Sequence, residues 1–70
     1  MSTPRLPEHL HDAYEWTEAA GELDELRDLS GADLAAYCDE AEANCRENGD
    51  SSVTADDLHA LHAWLAEVAS

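Results

Sequence analysis

Two stretches of this chain carry the same start signal. Leu29-Ser30-Gly31-Ala32-Asp33-Leu34 and Val53-Thr54-Ala55-Asp56-Asp57-Leu58 both read as staple residue, N-cap, two residues, capping acid and staple partner. The acid is Asp where Glu or Gln would reach back better, so each stretch points to a helix start more firmly than to a reciprocal side-chain bond. From Ser30 the apolar set Leu34, Tyr37, Cys38, Ala41 and Cys45 recurs at helical spacing, and Asn48-Gly49 supplies a left-handed stop. After the short turn Asp50-Ser51-Ser52, a last helix presents Leu58, Leu61, Leu65 and Val68 on one side, flanked by His62 and Trp64. It is the most apolar helix and the expected centre of the core. No run alternates β-branched or aromatic residues, and Asn48-Gly49 is flanked by helical patterns, so no strand is expected. The fold class that follows is all-α, a small bundle of three to four short helices.

Toward the N-terminus, Pro7 suits the first turn of a helix because its missing N–H would have no partner there. Residues 1–6 read as a frayed leader. Leu10, Ala13, Tyr14, Thr17 and Ala20 then share one helix face, with Trp16 and Leu23 at its edge. Gly21 either costs a long helix about 1 kcal/mol or ends it and lets Glu22 to Leu29 form a second; the break is the preferred reading. Helices are thus expected over about 7–20, 22–29, 31–48 and 55–69 of a single acidic domain, 1–70.

Opposite that apolar face runs an acidic one. Read as one helix, Glu8, Asp12, Glu15, Glu18, Glu22 and Glu25 follow one another at spacings of four, three, three, four and three residues, a stripe that no lysine or arginine interrupts. Five like-charge neighbours should cost on the order of 1–2.5 kcal/mol of helix stability. That is a large share of the roughly 3–5 kcal/mol available to so small a core. A straight helix would spread the stripe over about 25 Å, about one charge per 5 Å, against about 3.4 Å between phosphates of a DNA strand. Adding Asp24 and Asp28, eight acids of this segment oppose only Arg27. Glu8, Asp12, Glu15, Glu18, Glu22, Asp24, Glu25 and Asp28 are therefore the candidate partner-binding residues.

The charge of the whole chain narrows the partners. Seventeen acids against three arginines and no lysine give a formal charge of −14. Such a field repels DNA, RNA and anionic membranes and attracts a basic surface, including one that normally holds a phosphate backbone. An ordinary solvated acidic face, or adaptation to a salt-rich cytoplasm, would produce the same composition; the missing lysine and the crowding of acids over 8–28 argue for more. Neither a signal-peptide core nor a membrane-length apolar run is present, which points to a cytoplasmic protein.

Residue types that carry chemistry are few. Cys38 and Cys45 would lie about 10.5 Å apart along one helix, too far to pair, and read as small buried hydrophobes. His59 and His62 share a helix side, and His9 with Asp12 or His11 with Glu15 could add ligands, but the four-residue His spacing of a helical zinc motif is absent; no metal or other cofactor is expected. Catalysis by paired carboxylates needs one raised by burial in a cleft, and Ser51 or Ser52 has no recognisable base, so no enzymatic activity is expected. Gly49-Asp50-Ser51 resembles the Asp-Ser attachment site of acyl carrier proteins, which are also small, acidic and helical. The resemblance covers those residues alone and implies a phosphopantetheine arm on Ser51. In that family the serine opens a helix in mid-domain; here it precedes the last expected helix. Tyr14, Trp16, Tyr37 and Trp64 are most simply core, although an exposed Trp16 beside the stripe would be an anchor for a partner.

The functional expectation is a non-enzymatic interaction protein that imitates nucleic acid and blocks the basic groove of a DNA- or RNA-handling protein. Phage anti-restriction and anti-CRISPR proteins are similar in character. The competing expectation is a small adaptor or regulatory subunit docking by an apolar helix face around Leu61 and Trp64, on a partner or a second copy of itself, with the acidity serving solubility.

Overall fold

The computed structural model describes residues 5–69; residues 1–4 and 70 lie outside the described residues, and with them most of the expected leader. Four helices follow a single 3-10 turn at Glu8–Leu10: α1 His11–Ala19, α2 Leu23–Asp28, α3 Gly31–Glu47 and α4 Ala55–Ala69, with no strand among the described residues. The fold is small and all-α. Where a regular first helix is expected from about residue 7, the chain instead opens with the tighter turn, in which the Leu10 N–H donates to the Pro7 carbonyl at 3.0 Å. Leu10 is buried, and the half-buried Leu6, expected in the frayed leader, packs against the core.

Gly21 divides the acidic segment. Its φ of +72° lies in the left-handed region that glycine enters without steric cost. The Gly21 N–H donates to Glu18 O and the Glu22 N–H to Thr17 O, both at 3.0 Å. Those are the paired bonds of a Schellman motif, and they satisfy carbonyls that the last turn of α1 would otherwise leave open. Gly49, at φ +81°, closes α3 in the same way, with Gly49 N–H on Arg46 O at 3.1 Å and Asp50 N–H on Cys45 O at 2.8 Å.

The two helix starts differ in their caps. Thr54 caps α4 by accepting the Asp57 N–H at 3.1 Å, while a carboxylate oxygen of Glu42 on α3 accepts the Ala55 N–H at 2.8 Å. A negative charge at that helix N-terminus also meets the positive end of the helix dipole. Arg46 lies one turn away from Glu42, at 3.4 Å. Ser30 stands at the N-cap of α3 with extended backbone, but its hydroxyl makes no cap bond.

α4 packs against the 3-10 turn and against α1, α2 and α3. Leu58 and Leu61 at its middle are fully buried with Ala13, Leu26, Cys38 and Val53. Thr17 is buried too, its hydroxyl satisfied by donation to Ala13 O at 2.8 Å. His62 crosses from α4 to the end of α2, its Nε2 lying 2.7 Å from the Leu29 carbonyl. Leu29 has left the helix, with ψ 152°, so its carbonyl has no helical partner and takes one from α4. Two side chains assigned to apolar faces lie outside the core: Ala20 is exposed and Val68, near the end of α4, is 40% exposed. Both sit at the C-terminal ends of their helices, Ala20 as the C-cap of α1 and Val68 in the last turn of α4.

Candidate functional site

The acidic residues start from two axes rather than one. Glu8 on the 3-10 turn and Asp12, Glu15 and Glu18 on α1 are exposed and follow one another along one short arm. The Schellman turn at Gly21 then redirects the chain, and Glu22, Asp24, Glu25 and Asp28 belong to α2 or its N-cap. The six-member stripe along one straight helix therefore does not form, and neither does its 25 Å length. The Glu18–Glu22 pair, counted as helical neighbours, falls across the break.

Within this segment the eight carboxylates have different surroundings. Asp24 and Asp28 flank Arg27, each 3.6 Å from its guanidinium. All three are well exposed, so these pairs contribute at most about 1 kcal/mol each. Glu22 is half-buried and accepts a hydrogen bond from the Tyr37 hydroxyl at 3.0 Å, which ties the N-cap of α2 to the middle of α3. Glu18 lies near the Tyr14 hydroxyl, whose pKa is raised first by partial burial and then by the charge and hydrogen bond of Glu18. Glu8, Asp12, Glu15 and Glu25 are exposed and have no cationic partner among the described residues.

The break also builds a concavity. Trp16 from α1, Glu22 and Glu25 from the start of α2, and Tyr37, Glu40, Ala41 and Asn44 from α3 line a cleft of about 270 Å³. Trp16 and Tyr37 are half-buried: one side of each packs on the core and the other lines the cleft. Negative potential collects there. The Tyr37 phenol is pushed above the ordinary tyrosine range by burial first, then by its bond to Glu22 and by the charges of Glu22 and Glu25. Burial, the larger cause, opposes a charge of either sign, while the carboxylates of Glu22 and Glu25 oppose an anion and attract a cation. Glu40 and Asn44 were not among the residues expected to form a site, and Tyr37 was expected in the core. They lie far from the stripe in sequence, and only the packing of α3 brings them beside α2. A larger hollow of about 480 Å³, at Arg5, Leu6, Pro7, Glu8 and His11, adjoins residues outside the described range.

The remaining candidate groups are dispersed. Among the described residues no three His, Cys, Asp or Glu side chains are placed to hold a metal ion. His9, His11 and His59 are exposed, and His62 is engaged with Leu29. Cys38 and Cys45 are buried free thiols, each with its pKa raised mainly by burial and secondarily by Asp39 and Asp50 respectively. Ser51 is exposed in the turn before α4 and does not open that helix, which begins behind Thr54. Asp50 instead serves the turn, accepting from both the backbone N–H and the hydroxyl of Ser52, and these bonds lower its pKa. Trp64 packs edge-on to Tyr14, with ring centres 6.0 Å apart, and its indole N–H is buried without a partner. No described helix is long and apolar enough to cross a membrane.

Compared with known proteins, the chain matches no family model, no curated protein and no solved structure.

Proposed function

We propose that this chain is a non-enzymatic cytoplasmic inhibitor that occupies the basic groove of a DNA- or RNA-handling protein, with carboxylates standing where phosphates stand. The observation that carries this reading is the exposed row Glu8, Asp12 and Glu15, continued by Glu18, which no described cation neutralises. Four charges over the eleven residues from Glu8 to Glu18 extend for about 15 Å, close to one per 5 Å, and the acids of α2 and Glu40 on α3 add to their number. The partner would be met electrostatically, with affinity falling as salt rises.

The burial pattern favours this surface over an apolar one. Leu61 is fully buried and Trp64 half-buried, so the α4 face that an adaptor would use is turned into the core. Among the described residues Val68 is the one large hydrophobic side chain left exposed.

The test is capture from native-host lysate at moderate salt by the wild type and by a variant carrying Glu8→Gln, Glu15→Gln and Glu18→Gln, leaving the Tyr37-bonded Glu22 intact. The proposal expects a nucleic-acid-handling protein that wild type retains, the variant loses and duplex DNA displaces. The same partners on both proteins, undisturbed by DNA, would refute it.

A further inference from the structure

We propose that the cleft between α2 and α3 receives an arginine side chain of the partner protein, its guanidinium lying between Trp16 and Tyr37 and within reach of Glu22, Glu25 and Glu40. This deepens the preceding reading and rests on it. The argument starts from size. At about 270 Å³ the cleft lies at the lower edge of the roughly 300–1,000 Å³ of small-molecule sites, a size that one inserted side chain fills. Its walls then select the side chain. Two half-buried aromatic residues, Trp16 and Tyr37, and carboxylates from α2 and its N-cap and from α3 line the cleft together, the combination that a flat cation uses by stacking and by hydrogen bonding.

Arginine suits these walls better than lysine. Its guanidinium is planar, stacks on aromatic rings, is more weakly hydrated than an ammonium and donates in a fork that meets carboxylates in pairs. Tyr37 already donates to one oxygen of Glu22, which fixes that carboxylate and leaves its other oxygen for an incoming donor. Asn44 lies at the same wall. A basic nucleic-acid-binding surface presents arginines of this kind, so the cleft would give a short-range choice to an attraction that the α1 row exerts at longer range.

The experiment titrates the isotope-labelled full chain with a short Gly/Ser peptide carrying arginines and with its twin carrying lysines at the same positions, following the two indole N–H resonances. Trp16→Phe assigns them. The proposal expects the arginine peptide to shift the Trp16 resonance while leaving Trp64 in place, and to bind at least about 5-fold tighter than the lysine peptide. Glu25→Gln with Glu40→Gln should abolish that preference, whereas Glu8→Gln with Glu15→Gln should weaken both peptides alike. Equal binding of the two peptides, or equal loss from either pair of variants, would overturn the cleft while leaving the inhibitor reading intact. No shift of Trp16 by either peptide would likewise overturn the cleft. The lysate capture with the α1 variant judges the inhibitor reading separately.

Discussion

Replacing Glu15 by Gln should make the protein more stable while making it a poorer binder. Glu15 lies in α1 between Asp12 and Glu18, each three residues away on the same face, and all three are exposed. Helix propensity hardly changes between Glu and Gln, and Glu15 lies beyond the first turn of α1, where the dipole acts most strongly. What remains is the removal of two like-charge neighbours, each repelling by roughly 0.2–0.5 kcal/mol, a gain of about 0.4–1 kcal/mol. For a chain of this size that gain raises the melting temperature by about 2–8 °C. The assay is urea unfolding followed by circular dichroism, for wild type and variant, at low salt and again near 1 M, where the Debye length falls to about 3 Å. The stability gap should open at low salt and close at high salt. A variant no more stable than wild type, or a gap that salt does not change, would refute the claim that the α1 carboxylates repel one another.

Three other perturbations probe the frame around the site. Raising the pH should destabilise the fold from about pH 9 upward: the unfolded chain releases the Cys38, Cys45, Tyr14 and Tyr37 protons near their ordinary values, while the folded chain, with all four pKa values raised, holds them longer. Stability is therefore fully present below that range and lost above it, and an urea midpoint that stays level through it would contradict the burial assigned to these groups. Gly21→Ala should cost about 1–2 kcal/mol in urea unfolding, because a Cβ there meets nothing within 4 Å and the penalty comes from the left-handed backbone at φ +72°; a neutral result would mean that the turn is not held. Trp64→Phe should change stability by less than about 1 kcal/mol, since it deletes an unpartnered buried N–H along with some apolar contact. A loss well beyond that would reveal a partner for the indole.

Helix positions were legible because their signals are local. The apolar spacing from Leu34 to Cys45, the Asn48-Gly49 stop and the Thr54 cap each act within a few residues, and α3 and α4 begin at Gly31 and Ala55, where those signals place them. The opening 3-10 turn was not legible, since Pro7 is compatible with either first turn and the choice depends on seating Leu6 and Leu10 against the rest of the fold. The eight acids were visible as a group, but their differences were not: Glu22 and Glu25 owe their setting to Tyr37 and Glu40, which α3 supplies from well over ten residues away. The spacing of Glu42 and Arg46 makes their one-turn pair legible, but the second role of Glu42 was hidden for the same reason. Nothing in its neighbourhood in sequence shows that it caps the start of α4.

Gly21 decides what the acids can do. In one straight helix Glu22 and Glu25 would continue the row of Glu15 and Glu18 and would add only more of the same long-range field. That field draws any basic surface and distinguishes poorly among them, because over a Debye length of about 8 Å at physiological salt it reports net charge rather than shape. With the chain redirected after α1, Glu22 becomes bonded to Tyr37 and, with Glu25, faces Glu40 across a cleft that has Trp16 in its wall. A cation received there would meet hydrogen-bond acceptors and aromatic rings at contact range, where arginine and lysine are no longer equivalent. The left-handed glycine thus costs the chain a continuous stripe, and in exchange the acidic surface gains a place where the shape of the incoming cation counts.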